Sequence, residues 1–348
     1  MIKRKKTKQI FVGNVPIGGN ADIAVQSMCN TPTWDVEKTV NQIKELEAAG
    51  CEIIRVAVPD KKSADALKEI KQNISIPLIA DIHFDYRLAL ASIENGVDAL
   101  RINPGNIGKE DFIRQVVEAA RKKHIPIRIG VNSGSLEKEF SHLEKVDAMV
   151  ASAMKNVAIL EKYDFDMIKI SLKASDVLTT IEAYEKISEK TDYPLHVGIT
   201  EAGTLKSGLI KSSIGIGAIL LKGIGDTIRV SLTAQPKEEV FAAYELLKSL
   251  KLRNRGVNLI SCPTCGRTKI NLIELAHKVE EIVAPINKPL TIAVMGCPVN
   301  GPGEAKGADI GIAGGIGEGY IFKKGEIIKK VPEQQLLDEF KKELNSMI

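Results

Sequence analysis

Four residues in the last hundred of this 348-residue chain have the types and spacing for metal chemistry: Cys262, Cys265, Cys297 and Glu304. They lie in two short runs, SCPTCGR (261–267) and MGCPVNGPGE (295–304). Two residues separate Cys262 from Cys265, a spacing that lets two thiolates reach one metal centre from a single turn. Three thiolates do not complete a four-cysteine site. On a four-iron, four-sulfur cluster they leave one iron unique, and Glu304, seven residues beyond Cys297, is the nearest candidate for its ligand. A carboxylate is a hard, exchangeable ligand that a substrate oxygen could replace, as expected of a [4Fe-4S] cluster that does chemistry. On spacing alone a structural zinc site, with His277 or another group as fourth ligand, is the alternative. Two Cys-Pro steps and the lack of a second CxxC lean towards iron–sulfur.

The elements that must position these residues are readable around them. INLIELAHKVEEI (270–282) carries apolar residues at 272, 275, 276, 279 and 282, which predicts a helix. Its N-terminus would lie against the cysteine pair, where the helix dipole favours thiolates. His277 falls on this helix as a packed or solvated residue. PLTIAVMG, just before Cys297, reads as a buried strand, and the loop PVNGPG after it is rich in turn residues. GIAGGIGEGY (311–320) lacks the spacing of a P-loop and reads as a hairpin turn.

Upstream, strand and helix patterns alternate. Strand candidates begin near Ala24, Glu52, Pro77, Ala99, Pro126, Met167, Leu195 and Thr227, with amphipathic runs such as VEKTVNQIKELEAAG between them. The stretch from 136 to 163 reads as one long charged helical segment. Eight strand–helix units of this size predict an N-terminal (β/α)8 TIM barrel, with a doubly wound open sheet as runner-up. IFVGNVPIGGNA before them reads as a hairpin. The charged, glycine-ending KLRNRG (251–256) marks the expected boundary between a barrel over 1–253 and a smaller α+β cluster domain over 254–348.

Central parallel strands are normally continuous apolar runs. Here Arg55, Arg101, Arg128 and Arg229 interrupt four of them, and Lys169 and Lys173 occupy or follow a fifth. Asp81 and Glu201 are the acidic residues expected at comparable places, so pairing inside the barrel would leave six cations against two anions. An anion with more than one charge closes that balance, and arginine suits phosphate by its bidentate fork. His83, Asn103, Asn132, Ser171, Glu201 and Ser231 follow at the carboxyl ends of the strands, the face where barrel active sites sit. The barrel is therefore expected to bind a phosphorylated small molecule.

Composition narrows the remaining classes. Five of residues 3–8 are basic, but no aromatic stacking residue accompanies them, so a solvated lead is expected rather than a nucleic-acid arm. No 18-residue apolar run occurs, which argues against a spanning helix. Five cysteines, an odd number in a chain of this size, argue against a disulfide framework and point to the cytoplasm. Cys29 and Cys51 have no metal-spaced partners and read as packed thiols.

Beyond these readings, VQSMCNT, ADIHFDYRLAL, LRINPGNIG, IPIRIGVNSGSLE, ISLKASDV, GITEAG, GIGDTIRVSL, GVNLISCPTCGR and GCPVNGPGEA resemble, in order, motifs of the 4-hydroxy-3-methylbut-2-enyl diphosphate synthase family. The likeness covers about residues 10–310 and matches the shorter, two-domain bacterial form. One departure is Cys29, where the family's QSM-T-NT run leads one to expect threonine; a thiol at the barrel mouth could add oxygen sensitivity. The resemblance implies an oxidoreductase of the methylerythritol phosphate route to isoprenoids. It would open the ring of 2-C-methyl-D-erythritol 2,4-cyclodiphosphate reductively, with electrons from flavodoxin or ferredoxin. It also implies that Arg55, Arg101, Arg128, Lys173 and Ser231 clamp the cyclic diphosphate, assisted by His83, Asn103 and Asn132. Glu201 would be the proton donor for the departing hydroxyl. The family's form is a homodimer in which the cluster domain of one subunit caps the barrel of its partner.

Overall fold

The computed structural model describes residues 2–297 and 305–348. Two compact units divide the chain, Met1–Arg253 and Asn254–Ile348. Glu304 and the PVNGPG loop lie outside the described residues.

In the first unit eight parallel strands form one sheet: β3 (Ala24–Met28), β4 (Ile53–Ala57), β5 (Leu78–Asp81), β6 (Ala99–Ile102), β7 (Ile127–Asn132), β8 (Ile168–Lys173), β9 (His196–Val197) and β10 (Thr227–Ile228). Their spatial order is β8-β7-β6-β5-β4-β3-β10-β9. A parallel bridge from Ile170 to Leu195 links β8 to the segment entering β9, closing the ring. The eight helices between and after them are α1 (Val36–Ala49), α2 (Lys61–Gln72), α3 (Tyr86–Glu94), α4 (Glu110–Lys122), α5 (Lys145–Glu161), α6 (Val177–Lys190), α7 (Leu205–Leu221) and α8 (Pro236–Ser249). This is the (β/α)8 barrel, and the doubly wound alternative falls.

Local chemistry sets the helix starts. The carboxylates of Asp35, Asp60, Asp85 and Asp176 accept backbone N–H groups of Lys38, Ser63, Arg87 and Thr179, satisfying donors that the helix cannot. The long interval before β8 contains a 3-10 turn, Lys138–Phe140, and then α5, so the helix is shorter than the sequence pattern suggests.

The N-terminal hairpin, β1 (Ile10–Val12) and β2 (Val15–Ile17), is antiparallel. Ile10, Val12 and Ile17 pack against Ala24, Ile53, Ile79 and Ala99, residues at or near the starts of β3 to β6. The hairpin therefore floors the barrel. In the basic lead before it Lys3, Lys6 and Lys8 are exposed, as a solvated segment would be, but Arg4 and Lys5 are tied down. Arg4 donates to the Ala21 carbonyl and pairs with Asp226, and Lys5 Nζ donates to the carbonyls of Ser188 and Thr191. These groups anchor the hairpin to the loops beneath the barrel.

The second unit is α+β. Its sheet runs β11 (Val257–Ser261), β12 (Leu290–Met295), β13 (Ile310–Gly314), β14 (Glu318–Lys323) and β15 (Glu326–Pro332), in that order, parallel as far as β13 and antiparallel beyond. Val279 and Val283 of α9 (Leu272–Val283) and Phe340 of α10 (Leu336–Asn345) bury against Ile292, Val294 and Ile312 of the sheet. The expected hairpin lies between β13 and β14. Helix α9 begins two residues later than its periodicity suggests. Asn271 caps it by accepting the Glu274 N–H, and Ile270 instead covers Gly314, where an added Cβ would lie 2.5 Å from its side chain.

Candidate active site

Strand alternation puts every second residue inside a closed barrel. On β8 these are Lys169, Ser171 and Lys173, all buried. Register sets Arg101 of β6 beside Arg128 of β7, and Arg128 beside Lys169. Cations thus run from strand to strand within the barrel. They open into a cavity at the carboxyl ends, lined by Arg55, Arg101, Arg128, Lys173 and Arg229, with Asp81 the one carboxylate among its lining residues. His83, Asn132, Ser171, Thr200 and Ser231 complete the wall.

Asp81 is the hub of this charge. Its Oδ1 accepts from Arg101 Nη1 at 3.2 Å, and its Oδ2 lies 3.5 Å from Arg55 Nη1. Burial pushes its carboxyl up, but Arg55, Arg101 and Arg128 together outweigh burial and hold it below the usual range. The cations are not matched. Burial pulls Arg55 down to about 10, and burial with the repulsion of Arg55 and Arg101 carries Arg128 well below its ordinary value. Burial and the nearby guanidinium of Arg128 likewise depress Lys173, and bring Lys169 to about 7. Arg101 Nε, Arg128 Nε and Lys169 Nζ are buried without a hydrogen-bond partner. Buried cations short of counter-charge are costly, and a polyanion in the cavity supplies what is missing.

The expected count of two anions needs correction. Glu239 of α8, buried, has Oε2 3.5 Å from Arg229 Nε and accepts the Leu232 N–H at 2.9 Å. Asp226, also buried, accepts from Leu195 N–H at 2.9 Å and Thr7 Oγ1 at 3.0 Å. Neither lines the cavity, so the excess of cations at its wall stands.

Two glycines make the wall possible by close approach. A Cβ on Gly130 would lie 2.5 Å from Arg101 Nε, and one on Gly198 would lie 2.7 Å from Lys173 Nζ. Asn103 works on Gly130 without itself lining the cavity. Its Oδ1 accepts the Gly130 N–H and its Nδ2 donates to the Gly130 carbonyl, both at 2.9 Å, which clips β6 to β7. Among the other anticipated residues, Asn132 and Lys173 are neighbours in register. His83 is exposed, with Nε2 3.9 Å from Asp81 Oδ1. Glu201 is exposed and left-handed at φ 52°, one residue beyond Thr200 and outside the lining. Thr200, Glu239 and the Asn103–Gly130 clip escaped the sequence reading.

Cys29 is not a reactive thiol at the mouth. It is buried, and desolvation pushes its pKa up to about 12, as it does for Cys51. Both are therefore protonated and inert.

In the second unit, the ends of β11 and β12 gather the other thiols. Cys262 is half-buried, and its Sγ accepts the Gly296 N–H at 3.2 Å; the adjoining Cys297 is buried. Cys265 is exposed, and hydrogen bonds from Arg267 hold its thiol below the ordinary range. Thr268 joins the two runs: it exchanges hydrogen bonds with Cys265 and packs where a Cβ on Gly296 would fall. Helix α9 starts beside them, with Leu272 against Gly296. Soft thiols, one already receiving an N–H bond and one lowered towards thiolate, suit a soft metal centre, an iron–sulfur cluster among them. No three His, Cys, Asp or Glu side chains among the described residues converge on one ion. His277 is solvated, 3.5 Å from Glu280.

Comparison with known proteins agrees with both units. Residues 7–244 match the family described as the GcpE TIM-barrel domain, and 258–346 the GcpE protein C-terminal domain. A relative in Caldanaerobacter subterraneus subsp. tengcongensis, named 4-hydroxy-3-methylbut-2-en-1-yl diphosphate synthase (flavodoxin), is 63% identical over 100% of this chain and 99% of its own. Proteins of that name in Geobacillus thermodenitrificans and Dehalococcoides mccartyi are each 57% identical, covering 100% of this chain and 94% and 100% of their own. Among solved structures, dihydropteroate synthase from Stenotrophomonas maltophilia aligns with a TM-score of 0.53 at 15% identity, over 70% of this chain and 97% of its own. That likeness concerns the barrel fold alone. With both family descriptions matched and full-length relatives above half identity, this chain belongs to the GcpE family, the 4-hydroxy-3-methylbut-2-en-1-yl diphosphate synthases.

Proposed function

We propose that this chain converts 2-C-methyl-D-erythritol 2,4-cyclodiphosphate to 4-hydroxy-3-methylbut-2-en-1-yl diphosphate in isoprenoid biosynthesis. Two electrons enter, one C–O bond to phosphate opens the ring, and a hydroxyl leaves as water. The observation that carries this reading is the cation excess of the barrel mouth: five cationic side chains and one carboxylate line one cavity. Arg55, Arg101, Arg128, Lys173 and Ser231 bind the cyclic diphosphate, with His83 and Asn132 at the rim. Asn103 acts through Gly130, whose carbonyl also accepts from Arg101 Nη2 at 2.9 Å. Glu201, next to the cavity-lining Thr200, donates the proton to the departing hydroxyl.

Cys262, Cys265, Cys297 and Glu304 hold a [4Fe-4S] cluster. When bound, the cluster supplies single electrons and an exchangeable iron position. Two Cys-Pro steps and the lack of a second CxxC favour a cluster over a structural zinc. Flavodoxin, which the relatives' names carry, is the proposed donor, with ferredoxin as the second candidate. The protein works as a cytoplasmic homodimer. No described helix is long and apolar enough to cross a membrane.

Anaerobic purification tests the cofactor: brown protein with about four irons and four sulfides per chain is expected, and colourless protein with one zinc would refute it. Reduced flavodoxin should then support conversion of the cyclic diphosphate. Holoenzyme that turns over with neither donor protein would sink the assignment. Sedimentation equilibrium at micromolar concentration checks the dimer.

A further inference from the structure

Beneath the anion-binding wall lies a polar residue that the proposed reaction does not use. His196, on β9, has no exposed surface. Its Nε2 is 3.4 Å from Lys173 Nζ, and its Nδ1 is 2.8 Å from Thr227 Oγ1 on β10. Its carbonyl accepts the hydroxyl of Tyr184 from α6, and that hydroxyl accepts the Leu172 N–H of β8. The backbone of His196 is thereby tied to the strand that carries Lys173.

The surrounding charges decide what the ring can be. Burial first, then Lys173, Arg128, Lys169 and Arg55, hold the imidazole well below the ordinary histidine range. An ammonium has protons only to give. Towards a charged Lys173 a neutral ring presents an unprotonated Nε2, which puts its own proton on Nδ1, where Thr227 Oγ1 accepts it. Lys173 in turn faces Arg128, Arg229 and Arg55, with Glu239 of α8 the opposing charge, and it is buried. Gly198 closes one side of the amine. The amine then has an acceptor on the protein side and the cavity on the other.

We propose that His196 is a positioning residue: as the neutral Nδ1–H tautomer locked by Thr227, it accepts a hydrogen bond from Lys173 and aims the amine's other N–H groups at a phosphate group in the cavity. The proposal rests on the phosphate reading of that cavity. It commits to a specific tautomer, and to an acceptor that acts through Lys173 alone.

Two measurements on the holoenzyme test it: KM and kcat for the cyclic diphosphate across pH 6–9, and calorimetric binding of inorganic pyrophosphate. His196→Phe keeps the volume but removes the acceptor. It should raise KM and weaken pyrophosphate binding by about tenfold or more, the size of one hydrogen bond to a charged group, while kcat stays within about threefold. The alkaline limb of 1/KM should move to lower pH, because the charged form of Lys173 has lost its acceptor. His196→Gln, whose amide oxygen can reach the place of Nε2, should restore both KM and the limb. Thr227→Val, which releases the tautomer, should act in the same direction with a smaller change, and stands in should the Phe variant misfold. Wild-type pyrophosphate affinity and an unmoved alkaline limb in the Phe variant, or in Thr227→Val where Phe misfolds, would overturn the proposal. So would a Gln variant no better than Phe. Wild-type enzyme that binds pyrophosphate but leaves the cyclic diphosphate unchanged sinks the proposed substrate instead, and the pyrophosphate series then decides the role of His196.

Discussion

In the barrel mouth each cation is fixed by the strand or strand end that carries it, whereas the cysteines sit at strand ends and in loops. Arg101, Arg128 and Lys169 share one register, and their neighbours Asp81, Ser171 and Gly130 are held by the same ladder. That site is complete as a charge pattern before any ligand enters. The thiols are different: Cys262 and Cys297 are shielded but Cys265 faces solvent, and the described trio does not converge on an ion. The first site carries the cost of concentrating charge in the fold itself. The second is spread over strand ends and a loop that the ladder does not hold.

Four changes would break or sharpen this contrast. The largest effect belongs to the thiols. Cys297→Ser or Cys265→Ser should abolish cluster uptake and activity, yet leave calorimetric binding of pyrophosphate at the wild-type value. A serine variant that keeps a full cluster would show that the thiol is not a ligand. Next come the arginines, with the opposite signature. Arg101→Ala or Arg128→Ala should leave the cluster spectrum intact and weaken substrate binding by roughly 2–5 kcal/mol, the cost of truncating a buried charge contact. Unchanged KM and kcat would remove that residue from the site.

The third tests whether the barrel charge costs stability. The folded chain holds the proton of Lys169 only up to about pH 7, while the unfolded chain holds it to its ordinary 10.5. Between these values the unfolded state binds more protons, so stability should rise with pH across that window. Lys169→Met should flatten this rise and add about 1–4 kcal/mol at neutral pH, measured by urea melts at several pH values. A less stable Met variant would mean that Lys169 is paired in solution. The smallest effect is expected at Cys29. Cys29→Thr should shift stability by less than about 1 kcal/mol. In cluster-free protein iodoacetamide should label Cys265 well before Cys29 or Cys51, and early labelling of Cys29 would contradict its burial.

What the sequence disclosed follows from which forces are local. Arg55, Arg101 and Arg128 were legible because pairing with Asp81 and Glu201 would leave most of the charges in these apolar strand runs unmatched. Barrel closure was legible from alternation, although β9 and β10 shrink to two residues each. Glu239 was not, because in PKEEVFAAYELLKS a glutamate at the first turn of an amphipathic helix looks like any solvated residue. Only the return of α8 to the barrel brings it to Arg229. The Asn103–Gly130 clip was hidden for a similar reason, since Asn103-Pro-Gly is also an ordinary turn sequence. His196 was invisible because a histidine in an apolar run is usually just packed. Its meaning arises only from the register that sets it between Lys173 and Thr227.

The hairpin floor has a kinetic consequence. Ile10, Val12 and Ile17, anchored through Arg4 and Lys5, place a layer of low polarizability at the end of the barrel away from the mouth. Field lines from the interior cations avoid such a layer and leave preferentially through the polar mouth. The barrel therefore focuses the field of its interior cations on the mouth. An anion approaching the mouth meets a field steeper than the net charge of +4 over the whole chain would suggest. Association should be fast at low ionic strength and slow markedly as salt shortens the screening length to about 8–10 Å, while dissociation, governed by contacts already made, changes far less.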